Sequence, residues 1–202
     1  MRAALKAFGR AVALLAVAPA LVSYAIRGAI IGRDRALEGS TQMLALIPGL
    51  PGQYLRRAFL ARTIVGCHSS ATIGFGTIFS QTGARIDERV YVGARCHLGL
   101  VHIEGDALLA SGVHVTSGAR THGASDIDTP IRDHPMQRAI VRIGRGSWIG
   151  EAAVVMADVG RNTIVGAGAV VTKPLPDSVV AVGVPARVIR SRDRSPNPPV
   201  LT

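Results

Sequence analysis

Aliphatic or aromatic residues recur about every six positions through the middle of the chain: Ile73, Phe79, Ile86, Val92, Leu98, Ile103, Leu109 and Val115. The register slips by one residue at Ile86 and back by one at Ile103. After an interruption the pattern resumes at Ile143, Ile149, Val155, Val159, Val165 and Val171, with only the Val155 to Val159 step short, at four residues. Glycine often follows the repeating aliphatic, at Gly74, Gly93, Gly99, Gly144, Gly150, Gly160 and Gly166. A period of about six is neither that of a helix nor that of a simple strand. It predicts a short strand followed by a tight corner. The aliphatic points into a narrow core, and glycine tolerates the unusual backbone of the corner. Three such units make one triangular coil of about 18 residues, so these positions make roughly four to five coils. A coil cannot bury its faces alone, and stacking supplies the core. The competing all-β arrangement, a sandwich, spaces its strands about 8–12 residues apart, which this pattern does not match.

The first sixty residues follow a different pattern. Between Arg10 and Arg27 the chain carries no charge, and Pro19 sits in the middle of that stretch, where it would kink a helix. A second apolar stretch, Met43 to Leu50, is cut by Pro48, Gly49, Pro51 and Gly52. The segment YLRRAFLAR then reads as helical, with Arg56, Arg57 and Arg62 available to one side. A secretory signal would fit the basic start and the Ala18-Pro19-Ala20 triplet. A buried helical cap would fit the apolar content. The reading adopted is a monotopic membrane foot, with apolar helices dipping into one leaflet and arginines meeting anionic lipid.

Composition narrows the class. Of 202 residues, 48% are apolar and 18% charged, which excludes wholesale disorder, and aromatics at 4% require an aliphatic interior. Two cysteines, Cys67 and Cys96, exclude a disulfide-stapled scaffold and a four-cysteine zinc site. A reduced, cytoplasmic setting follows. The net charge of +10 divides as +7 over residues 1–62, zero over 63–186 and +3 over 187–202. The basicity sits at the ends, no basic stripe interleaves with aromatics, and a nucleic-acid partner is not expected.

The repeat breaks between Val115 and Ile143, and the insert holds His122 and His134 with Asp126, Asp128 and Asp133. A long loop inside a compact domain is often functional. Histidine, with an ordinary pKa near 6.5, can take a proton from an attacking alcohol.

The segments TIGFGTIF, VYVGARCHLG and IGRGSWIGEAAVVMADVGRNTIVGAGAVVTKPLPDSVVAVGVPARVIR resemble the hexapeptide-repeat acyltransferases. Within them the likeness is to the maltose and galactoside O-acetyltransferase type. It covers roughly residues 70–190. It implies an all-β, left-handed parallel β-helix, an exception to the right-handed crossover rule. It also implies a homotrimer with acetyl-CoA sites between neighbouring prisms and no metal. The chain then divides into an apolar, basic helical segment (1–62), the β-helix (63–182, with an expelled loop at about 118–141) and a basic C-terminal tail (183–202). The resemblance makes His122 the catalytic base, although the family's His-Pro is here His122-Gly123, and His134-Pro135 lies late in the loop. It assigns Thr172, Lys173, Arg187 and Arg190 to the nucleotide end of the coenzyme, and Ala167 and Glu151 to its pantetheine arm. Glu151 stands where a small or neutral residue is usual. Ser80 and Gln81 fall where the family has a polar side chain near the acceptor hydroxyl.

The expected function is transfer of an acetyl group from acetyl-CoA to a hydroxyl of a saccharide or envelope polysaccharide precursor, at the cytoplasmic face of an inner membrane. The runner-up is N-acylation of an amino sugar. Two readings come from other classes: a non-catalytic structural trimer, and a zinc carbonic anhydrase-like protein. His97 and His102 have a spacing used by the latter, but Ala61 stands where its third histidine would be and His68 is out of phase.

Overall fold

The computed structural model describes residues 2–119 and 126–192, with side chains from Gly9 onward. The repeat forms a left-handed parallel β-helix of about six turns. Its first face stacks the strands Gly66–Cys67, Arg85–Ile86, Val101–Ile103 and Val141–Ile143, and single bridges at Val159 and Leu175 continue it. Its second face stacks Thr72–Ile73, Tyr91–Val92, Leu108–Leu109, Trp148–Ile149, Ile164–Val165 and Val179–Val182. The third stacks Ile78–Phe79, His97–Leu98, His114–Val115, Val154–Val155 and Val170–Val171. In the two-residue strands the second residue points inward: Ile73, Phe79, Val92, Leu98, Leu109, Ile149, Val155, Val165 and Val171 are all buried.

All fourteen aliphatic or aromatic positions of the sequence pattern lie in this core, and the structure adds rungs at both ends. Cys67 pairs with Ile86, and the fully buried Ala181 pairs with Val165. Neither residue reads as a repeating aliphatic, which is why the sequence gives fewer coils. Burial pushes the Cys67 thiol up to about 12, with Arg57 opposing, so the thiol is neutral. The coils are also uneven. Partners lie 19 residues apart at first (Ile73 with Val92), then 17 (Val92 with Leu109), then 16 (Ile149 with Val165).

Three helices precede the coils. α1 spans Arg2–Ile31, α2 Arg33–Ala45 and α3 Gly49–Thr63. Pro19 is accommodated inside α1 without ending it. Gly32, at φ +89°, makes the turn into α2 in a backbone region that side-chain-bearing residues rarely adopt. α2 and α3 plug the open first coil: Leu37, Leu44, Phe59 and Leu60 form one apolar cluster with Ile73 and Phe79. Each such side chain contributes about 1.5–3 kcal/mol when buried. Thr41 exchanges hydrogen bonds with the backbone N–H and C=O of Phe79, and the Asp34 carboxylate accepts from the N–H and hydroxyl of Thr82.

One arginine departs from the expectation that the basic residues of α3 face outward. Arg56 is buried and donates to the carbonyls of Ile73, Leu44 and Ile47. It ties α2, α3 and the first coil together, and desolvation lowers its pKa from the usual arginine value. A helical cap and an exposed apolar helix therefore coexist. α2 and α3 make the cap, while α1 rests on them with Leu15, Val22, Ile26 and Ile30 exposed.

Candidate active site

The expelled loop leaves the third coil at one narrow neck. Ser117 is buried, its hydroxyl accepts from the N–H of Leu100, and its carbonyl accepts from the N–H of Ala139 on the returning strand at 2.9 Å. The Val141 N–H then rejoins the coil at the Leu100 carbonyl. Both ends of the loop thus emerge from the edge between the third and first faces. His122, the expected base, lies outside the described residues.

His134 is described, and it is committed elsewhere. It is buried, and its Nε2 sits 3.1 Å from the carbonyl oxygens of both Asp126 and Thr129. Two acceptors require a proton on that nitrogen, so His134 staples the loop. Asp126 is also occupied. Its carboxylate accepts from the Thr129 hydroxyl at 2.6 Å and from the Asp128 N–H at 3.0 Å, and these bonds hold it below the usual aspartate value. Asp128 and Asp133 are exposed.

The remaining predicted residues fall on two different edges and on the C-terminal strand. Along the edge that expels the loop, Ser80 and Gln81 stand two coils toward the N-terminus from the neck. Thr172 and Lys173 stand two coils toward the C-terminus. At the usual strand spacing each pair is about 10 Å along the axis from the neck. Thr172 and Lys173 are exposed, whereas Ser80 and Gln81 are half-buried, with the Gln81 amide donating to the Ser80 carbonyl. Along the edge between the second and third faces, Glu151 and Ala167 are exposed on successive coils, joined by a bond from the Gly168 N–H to the Glu151 carbonyl. The C-terminal strand, Arg187–Ser191, pairs antiparallel with Val179–Val182 and sets Arg187 opposite Val182 and Arg190 opposite Val180. A whole prism face therefore separates Glu151 and Ala167 from Thr172 and Lys173.

That face carries a feature the sequence reading passed over. His97 and His114 point outward on adjacent coils with ring centroids 6.1 Å apart. Their spacing of one coil was the available signal. His102 stands on the first face instead, bonded to Asp87 at 3.0 Å. Among the described residues no three His, Cys, Asp or Glu side chains gather as a metal site.

Comparison with known proteins adds what the chain is similar to. The chain is 28% identical over 163 residues to galactoside O-acetyltransferase of Escherichia coli (strain K12), covering 70% of this chain and 80% of that protein. The fold matches a maltose O-acetyltransferase from Clostridium difficile 630 with a TM-score of 0.58 at 23% identity, over 80% of this chain and 89% of that one. The chain is an acyltransferase. The acyltransferase also shares its fold with AntD, an N-acyltransferase from Bacillus cereus crystallised with dTDP and coenzyme A (TM-score 0.51, 21% identity, 62% and 75% covered). No family model matches the chain. The expelled loop, the exposed edges and the hairpin that ends the coils are thus parts of an acyl-transferring enzyme.

Proposed function

We propose that this acyltransferase moves an acetyl group from acetyl-CoA to a hydroxyl of a saccharide or envelope polysaccharide precursor, with His122 as general base. The observation that carries this reading is the neck at Ser117 and Ala139. The neck opens on the edge that carries Ser80 and Gln81 to one side and Thr172 and Lys173 to the other, which supports a role for His122 of the expelled loop. The acceptor oxygen attacks the thioester carbonyl carbon as the imidazole takes its proton. The C–S bond breaks, and the thiolate leaves with the proton returned by the imidazole, with no covalent enzyme intermediate. A backbone N–H meets the oxyanion. Lys173, Arg187 and Arg190 hold the coenzyme phosphates with Thr172, and Ala167 leaves room for the pantetheine arm. Glu151 borders that arm.

The enzyme works as a homotrimer in this account. The outward side of the second face carries exposed Tyr91, Leu108 and Trp148, and the first face carries Arg85, His102 and Arg142. An apolar face favours contact with a neighbour and a charged one favours water. A threefold contact is heterologous, so it can set the Ala167 edge of one protomer against the loop edge of the next. Residues 1–62 hold the trimer at the cytoplasmic surface of the inner membrane through the exposed side of α1.

The test is thiol release from acetyl-CoA with saccharide acceptors. His122→Ala should lower kcat by about 10²–10⁴-fold with CoA affinity nearly unchanged. Turnover equal to that of the parent enzyme removes His122 from the mechanism.

A further inference from the structure

Between α1 and α3 lies a cavity of about 250 Å³ with Ala11, Leu14 and Tyr54 in its walls and Arg10, Arg57 and Arg62 around it. No acidic residue lines it. Arg57 is fixed there, stacked 4.7 Å over the Tyr54 ring and donating to the Ala71 carbonyl. Arg10 and Arg62 are exposed and have no hydrogen-bond or ion-pair partner among the described residues. Three cations without a counter-charge, set on apolar walls, suit an anion attached to an apolar tail.

The neighbouring surface says where such a tail would be. The most apolar 18-residue stretch of α1 has a mean hydropathy of 1.9 with only 11% of it buried, and the helix runs apolar for 23 residues from Gly9 to Ile31. At 1.5 Å per residue this is about 35 Å, long enough to cross a hydrocarbon core of about 30 Å. Its inner side, however, is bound along its length. Gly9 lies against Tyr54, Tyr24 packs edge-to-face on Phe59 at 5.7 Å, and Arg27 donates to the Ser40 hydroxyl at 2.7 Å. An upright α1 would drag Asp34, Arg35 and Glu38 of α2 into hydrocarbon, at several kcal/mol for each charge. A flat α1 gives Leu15, Val22, Ile26 and Ile30 to lipid and leaves the cap dry.

We propose that this cavity seats the phosphate of an anionic phospholipid, with Arg10, Arg57 and Arg62 around it and the outer side of α1 lying in the plane of the same leaflet. The proposal rests on the membrane placement given above and adds a defined headgroup site to it. The test is flotation of the full-length protein with vesicles of phosphatidylcholine alone or containing phosphatidylglycerol. The expected preference for phosphatidylglycerol is about 10²-fold, from roughly 1 kcal/mol per arginine. Arg10→Gln/Arg62→Gln, checked for unchanged melting temperature, should lose at least tenfold of that preference and keep the residual binding to phosphatidylcholine. Leu15→Glu/Ile26→Glu should abolish binding to both. Equal binding of the parent protein to the two vesicles, or a preference that survives the arginine changes, overturns the headgroup site and leaves the membrane placement standing. Failure to float with either vesicle overturns both, and larger assemblies in that case identify another copy of the chain as what covers α1. A melting-temperature rise with inorganic phosphate alone, equal to that with phosphatidylglycerol, replaces the lipid with a free anion.

Discussion

The glycines that follow many of the core aliphatics are needed for a reason other than backbone freedom. Gly74, Gly93, Gly144, Gly150 and Gly160 do not have positive φ. An added Cβ at Gly150 would come within 2.4 Å of the Ala167 nitrogen on the next coil, and one at Gly74 within 2.3 Å of the Gly93 carbonyl oxygen. The coils touch there, and backbone cannot move aside. The left-handed positions come two residues later, at Gly76, Gly112, Gly146 and Gly168, and also at Arg89, Asp106 and Ala152. This separates two substitutions that look alike in sequence. Gly150→Ala should cost about 1–3 kcal/mol through overpacking. Gly168→Ala, with open space around it and φ +66°, should cost about 1–2 kcal/mol of backbone strain alone. Melting curves of the pair distinguish them further: the parent coenzyme affinity should persist in Gly168→Ala more than in Gly150→Ala, whose coil shift moves Ala167. Gly150 was visible as part of a pattern and Gly168 was not, and a one-dimensional pattern does not report the distance between coils.

At the scale of elements, the six-residue period gave the strands and the break gave the loop, because each core position needs one aliphatic side chain and a loop needs none. The roles of Arg56 and His134 were not legible, because each depends on carbonyls brought near by the fold. Arg56→Met should leave the Ile73, Leu44 and Ile47 carbonyls without their charged donor, at about 3 kcal/mol. That corresponds to a fall of about 6–12 °C in melting temperature for a chain of this size. Along the edge between the first and second faces, Arg89 pairs with Asp106, and Arg145 bridges Asp106 and Glu88 across the coils. Bonds from Arg145 hold Glu88 below its ordinary 4.5, and bonds from Arg89 hold Asp106 below its ordinary 3.8. A carboxylate held low in the folded state contributes stability above its ordinary pKa and loses it as pH falls through the folded value. Melting temperature should therefore be level above about pH 5 and decline below about pH 4. Asp106→Asn should shrink the acid decline, and an unchanged decline would remove the ladder as its cause. These groups are exposed, so the effect is modest and weakens in high salt.

At the scale of the molecule, the two basic ends of the sequence become opposite ends of the prism. Arg187 and Arg190 are in a strand on the last coil, while Arg10 and Arg62 lie at the opposite, capped end. Raising ionic strength should weaken CoA binding by several-fold if Lys173, Arg187 and Arg190 meet its phosphates, and titration calorimetry at two salt concentrations reads this directly. The same scale exposes what sequence order concealed: residues that one coenzyme is proposed to touch stand on edges divided by a full face of the prism. The account therefore needs a site completed by a neighbouring copy. Mixing protomers tests that need most directly. His122→Ala and Ala167→Arg should each be inactive alone. Co-expressed and co-purified as mixed trimers, they should regain about a third of the parent sites, since every mixed trimer has one of its three interfaces with both edges intact. Mixed trimers that stay as inactive as either variant alone would contradict a shared site.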